Sequence, residues 1–218
     1  MIYSSKRKLA LSGWLKENYE DVYNIPLKLQ KYLLFYETFS KVAGEQTDFS
    51  HLRGYKNGPV FSNVWGDYTK DREEFNTAAQ NEYKTQKNKI NNERARKCAF
   101  IVGTLTETEL SDLTHQMDIW KNKKNRIISG EQNVLLYESE FSDSDSEMMQ
   151  ALDMMYPDSM INDSTIINVA NNYFVFTKKD SCKLTDKHIE ILKKLVEQEN
   201  LHNPVYVDID TEGRLIID

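Results

Sequence analysis

Apolar residues recur at helical spacing through most of the first half of the chain. Over residues 5–18 the apolar positions are Leu9, Leu11, Trp14 and Leu15, which predicts a helix. Asn24 and Pro26 mark the start of the next one, since proline is tolerated in a first turn. From Leu27 to Phe39, the residues Leu29, Tyr32, Leu33, Tyr36 and Phe39 trace the stripe of a core-facing helix, and Gly44 is placed to end it. Residues 47–58, TDFSHLRGYKNG, predict a short extended ribbon with turns at Gly54 and at Asn57-Gly58. Pro59 then predicts a new helix with proline in its first turn, placing Val60, Val64, Asp67 and Tyr68 on one face beside Phe61 and Trp65. Residues 70–91 are polar and lysine-rich, a solvated helix or a connection. Ala95, Cys98, Ala99, Ile101 and Val102 predict a buried helix over 92–103, stopped at Gly103. Thr106 with Glu109 fits a capping box for a helix from about Glu107 to His115, carrying Leu110 and Leu113.

The pattern changes after Arg126. Between Ile127 and Thr177 there is no lysine or arginine, while nine acidic residues lie there. The tract SEFSDSDSE at 139–147 reads as a loop or a helix N-terminus, followed by a cluster of methionines. Periodicity of two then appears in Ile166–Ala170 and Tyr173–Phe176, a hairpin turning at Asn171-Asn172. Ile189, Leu192, Leu195 and Val196 predict a helix over 184–199, and Val205–Ile209 with Arg214–Ile217 predict a second hairpin through Gly213. The fold class expected is α+β and mainly α: a helical domain with a small β-ribbon over 1–130, then an acidic segment and a small α+β extension with hairpins over 131–218.

Composition narrows the function classes. The 218 residues are 39% hydrophobic and 28% charged, a globular balance, and the net charge of −6 disfavours nucleic acid as a general ligand. Two cysteines, Cys98 and Cys182, make no disulfide framework and are expected as buried free thiols. The N-terminal stretch lacks the apolar core of a signal peptide and no apolar run is long enough to cross a bilayer, so a cytoplasmic setting is expected. There is no GxSxG elbow, no phosphate-binding glycine loop, no HExxH among the four histidines and no EF-hand loop, so neither catalytic residues nor a metal or cofactor site are assigned.

Three segments in order resemble one known family. Ile25-Pro26-Leu27-Lys28-Leu29-Gln30-Lys31-Tyr32-Leu33-Leu34-Phe35 is similar to its opening helix. Leu52-Arg53-Gly54-Tyr55-Lys56-Asn57-Gly58-Pro59-Val60, running on to Val64 and Tyr68, resembles its signature, an aromatic–basic pair leading into glycine–proline–valine. Leu110 to Leu113-Thr114-His115, then Asp118 and Trp120, resembles its closing segment. The family is the Panacea, or SocA-like, antitoxin domain met in phage-encoded proteins, and the resemblance covers about residues 5–130. It implies a protein-binding antitoxin of a toxin–antitoxin pair, neutralising its toxin by direct contact; the founding type also delivers its toxin to a cellular protease. Two departures concern the partner: Arg53-Gly54-Tyr55 replaces the usual aromatic before the glycine–proline motif, and residues 70–91 are longer and more basic than the family pattern. Leu29, Gln30, Leu33, Gly58, Pro59, Val60, His115 and Trp120 are expected to be architectural. Lys28, Lys31, Arg53, Tyr55 and Lys56 are the candidates for contact with the partner, or for an internal polar network.

The charge asymmetry supports two further readings. The basic runs Lys84–Lys97 and Lys121–Arg126 are solvated faces or a surface for an acidic partner. The acidic region, with Asp143, Asp145 and Glu147, is a solvated insert or a nucleic-acid mimic that blocks a host defence nuclease. An enzyme with an unfamiliar site is the remaining alternative, and Arg53, Lys56 and His115 are where it would lie.

Overall fold

The computed structural model describes residues 1–199 and 201–217. It forms two compact units, one of residues 1–102 with 107–155 and the other of 156–218 with 103–106.

The first unit opens with α1 (Lys6–Asn18), whose N-terminus is capped by Ser5 accepting from the Lys8 amide. After α2 (Glu20–Tyr23), Pro26 occupies the first turn of α3 (Pro26–Val42). Gly44, with φ of +69°, closes α3, and the Glu45 amide reaches back to the Ser40 carbonyl. Helix α3 is buried on every side from Lys28 to Ser40, so it is the central element of this unit. Its apolar stripe is the predicted one, but Lys28, Gln30, Lys31, Glu37, Thr38 and Ser40 are buried with it.

Strands β1 (Leu52–Tyr55) and β2 (Gly58–Phe61) form an antiparallel hairpin, and β3 (Val134–Leu135) pairs with the other edge of β1. The sequence placed Pro59 in a helix. It lies instead in β2, opposite Gly54, and α4 (Ser62–Lys70) begins only after Phe61. The sheet order β2-β1-β3 makes β2 an edge strand, where a residue without an N–H is tolerated. Gly54 is not a turn but a strand residue: a Cβ there would come 2.4 Å from Ile127 Cδ1.

The polar stretch 70–91 is largely ordered helix, α5 (Arg72–Gln86), with Phe75 and Ala79 fully buried. It packs on α1 at Gly13, where a Cβ would lie 2.3 Å from the Ala79 carbonyl oxygen. Only glycine allows that approach. Helices α6 (Asn92–Gly103) and α7 (Glu107–His115) follow as the sequence predicts, then α8 (Asp118–Lys121) and α9 (Lys124–Ile128). The acidic tract starts α10 (Asp143–Met155), which packs on α3 through Met149 near Thr38. Residues 131–155 therefore belong to the first unit, through β3 and α10, and the boundary falls after Met155 rather than at residue 130.

The second unit holds α11 (Asp158–Asp163), the hairpin β4 (Ser164–Val169) and β5 (Asn172–Thr177), α12 (Lys178–Ser181), α13 (Asp186–Gln198), β6 (Val205–Ile209) and β7 (Leu215–Ile217). The first turn sits at Ala170-Asn171, both with positive φ, one residue earlier than the sequence suggests. The two expected hairpins are one sheet, β4-β5-β6-β7, because α13 carries the chain across to a parallel β5–β6 pairing. Phe174, Phe176, Leu192, Val205, Val207 and Ile209 form its core. The observed class is α+β, mainly α, as the periodicities predict. No described helix is long and apolar enough to cross a membrane.

Candidate functional site

Two of the buried polar residues of α3, Gln30 and Lys31, reach the β1–β2 hairpin. Gln30 Oε1 accepts from the Phe61 amide at 2.8 Å, supplying β2 with an acceptor on its unpaired edge. Lys31 is fully buried, and its Nζ donates to the Asn57 carbonyl at 2.7 Å, in the turn between β1 and β2. That turn requires Gly58, whose φ is +96°. A Cβ at Gly58 would lie 2.3 Å from Lys31 Nζ and 2.5 Å from Thr114 Oγ1, so the amine and the hydroxyl fill the space a side chain would take. Burial pushes the Lys31 amine down to about 7, with no carboxylate offsetting it.

The third segment closes the cluster. Thr114 is buried and bonds its own helix at the Leu110 carbonyl. The His115 ring stacks on Trp120 at 3.9 Å and 22°, and it bonds the Lys56 backbone. Burial first, and then the Lys31 charge, lower the His115 pKa, and its Nε2 is buried without a hydrogen-bond partner among the described residues. Trp120 Nε1 donates to the Tyr55 carbonyl at 3.0 Å. Lys31, Thr114, His115 and Trp120 thus hold the carbonyls and glycine of one hairpin turn from the inside. All three segments singled out in the sequence meet here.

The outer side of the same hairpin is exposed. Arg53 is paired across the ladder with Leu135, so both side chains lie on one face, and Tyr55 follows two residues on. Tyr55 and Leu135 are about two-fifths exposed (38% and 40%), Lys56 is exposed, and Arg53 is half-buried, its Nη1 buried and without a hydrogen-bond partner among the described residues. Of the predicted contact residues, Arg53, Tyr55 and Lys56 are therefore brought together at the surface. Lys28 and Lys31 are not: both are buried, with Lys28 pushed down to about 8 by burial, partly offset by Glu107 and Glu109. Of the group considered for an enzyme, His115 meets only the backbone of Lys56.

The acidic residues also divide. Asp143 and Glu147 are exposed, but Asp145 is 1% exposed and accepts from the amides of Asp118, Ile119 and Ser142. It caps the start of α8, an internal role rather than a surface one. Other charges of this region pair with the basic runs: Asp153 with Lys97, Glu140 with Lys123 and Glu131 with Arg126, while Glu138 pairs with Lys41 on α3. The opposite charge blocks of the sequence are thus, in part, two sides of intramolecular ion pairs.

Sequence reasoning missed a second buried network. Glu37 is fully buried and receives Lys8 Nζ at 2.5 Å, Arg7 Nε at 2.9 and 3.2 Å, and the Asp48 amide at 3.0 Å. Lys8 Nζ also donates to the Asp48 carbonyl at 2.6 Å. No periodicity signals it, because a charged residue on a helix reads as its solvent face. Cys98 is buried and its thiol pushed far up by burial, whereas Cys182, expected inside, is exposed. Among the described residues, no group of three or more His, Cys, Asp or Glu side chains is arranged to hold a metal ion.

No protein-family model matches the chain, and neither a curated protein nor a solved structure does.

Proposed function

We propose that this protein is a non-enzymatic, protein-binding inhibitor of the antitoxin kind, acting in the cytoplasm on a toxin it meets by direct contact, with the β1–β2 hairpin as the contact surface. The observation that carries this reading is the convergence of the three Panacea-like segments. Lys31, Gly58, Thr114, His115 and Trp120 lie far apart in sequence and together fix one hairpin turn. A buried lysine without a counter-charge is costly, so its use to hold a turn points to a shape that matters on the outer side. There Arg53, Tyr55, Lys56 and Leu135 combine an aromatic, an aliphatic and two cations, the residue types that anchor protein interfaces. The cations favour an acidic patch on the toxin. The reading in which the acidic region imitates nucleic acid has less support, since Asp145 is a helix cap and several neighbouring carboxylates are already paired.

The test is co-expression with the protein encoded by the gene next to its own. Rescue of growth together with a co-purifying complex is the expected result. Neither rescue nor complex would overturn the proposal.

A further inference from the structure

A separate site lies on the first unit, away from the hairpin residues. The start of α1, the middle of α3 and the segments after α3 and α5 line a half-open cleft of about 580 Å3. That volume lies in the range of small-molecule pockets. Lys6, Arg7 and Lys89 line it together with Tyr36 and Glu45, over an apolar floor that includes Leu11 and Ile90.

The charges in the lining do not cancel. Glu45 is spent on Arg94, which binds both carboxylate oxygens at 2.7 and 2.8 Å. Arg7 donates from Nε to Glu37 and from Nη2 to Ser40 Oγ at 3.3 Å, leaving its Nη1 edge uncommitted. Behind it, Glu37 and the Asp48 carboxylate balance Arg7 and Lys8. Among the described residues, neither Lys6 nor Lys89 has a carboxylate within ion-pair distance. The cavity is thus a cationic pocket in a chain of net charge −6, with one guanidinium already held in place by Glu37 and Ser40. Arg7 and Arg94 both lie over the Tyr36 ring, at 5.4 and 5.5 Å, and the Tyr36 hydroxyl accepts the Asn91 amide. The ring is therefore engaged by the protein itself, and recognition falls to the cations.

We infer that this cavity binds a small molecule through a multiply charged oxyanion group, a di- or triphosphate or an equivalent cluster of carboxylates. The guanidinium edge of Arg7 offers directed donors and the two lysines supply point charges, the combination that suits such groups. The site is independent of the hairpin surface.

Isothermal titration of the full chain with inorganic pyrophosphate and, separately, with citrate tests it. Saturable one-site binding of at least one anion is expected, weakened about tenfold or more in the double variant Lys6→Glu, Lys89→Glu. Both lysines are exposed and unpaired, so the variant should unfold at the wild-type urea concentration; Lys6→Gln with Lys89→Gln replaces it if it does not. Lys187→Glu, on α13, should bind as wild type does. Binding of pyrophosphate alone identifies a phosphate ligand, and of citrate alone a carboxylate one. The inference is overturned if neither anion gives a saturable signal, if the double variant binds within twofold of wild type, or if Lys187→Glu weakens binding equally.

Discussion

Replacing Gly58 by alanine probes the hairpin clamp at the point where it is tightest. The added methyl has two costs. It asks an L-residue to hold φ of +96°, which costs about 1–2 kcal/mol. It also lands 2.3 Å from Lys31 Nζ and 2.5 Å from Thr114 Oγ1. Both are buried on elements that cannot retreat, since α3 is enclosed on every side and Thr114 is bonded to its own helix. Overpacking of that kind costs about 1–3 kcal/mol, and displacing Lys31 from the Asn57 carbonyl adds about 1 kcal/mol. The sum is about 4 kcal/mol, equivalent to roughly 10 °C in Tm for a unit of this size. Urea unfolding followed by tryptophan fluorescence reads it directly, because Trp14, Trp65 and Trp120 all belong to the first unit. A loss below about 1 kcal/mol would refute the claim that the Lys31 amine and Thr114 hydroxyl occupy the space beside Gly58.

Other variants test the remaining pieces. Glu37→Ala strands the buried Lys8 amine and should cost about 3–5 kcal/mol in the same urea assay; a cost under 1 kcal/mol would mean the network is not a unit. Lys31 gives a pH signature. Its folded pKa of about 7 lies below the ordinary 10.5, so above pH 7 the folded chain sheds a proton that the unfolded chain still holds. Stability should rise with pH from about 7 to 10.5, by on the order of a few kcal/mol for this one group. Lys28 adds a rise of the same sign, so the quantity to measure is the difference from Lys31→Met, which should flatten the curve; parallel curves would contradict the assignment. Asp145→Ala should lose about 1–2 kcal/mol as α8 loses its cap, while Asp143→Ala and Glu147→Ala should be neutral within about 0.5 kcal/mol in thermal unfolding.

The sequence carried the helices better than the partners of their polar residues. The α3 stripe was legible because apolar residues at helical spacing report a buried face. What it hid is that Lys28, Lys31 and Glu37 are buried too, since polarity alone reads as solvent exposure and the compensating carbonyls and amides are distant in the chain. The α7 boundaries were legible from local capping chemistry. Pro59 misled because a glycine–proline step opens a helix or an edge strand equally well; what decides is the ladder with β1 and the Gln30 acceptor, both long-range. Helix α5 was obscured because only Phe75 and Ala79 need burying when Gly13 lets α1 come close. In the second unit each strand was readable by its alternation, but the parallel β5–β6 pairing was not, because it depends on a crossover rather than on local turns. The three segments that drew notice by their order and spacing meet at one hairpin, but the division of their residues into an inner clamp and an outer face required the hairpin's register.

The central claim is that the outer face of this hairpin is where a protein partner binds. The most direct measurement is the affinity of the co-purified partner for wild type and for the double variant Lys56→Glu, Leu135→Asp. Both side chains are exposed, so urea unfolding should be unchanged while binding falls by about a hundredfold or more. A folded double variant that binds its partner as wild type does would contradict the account.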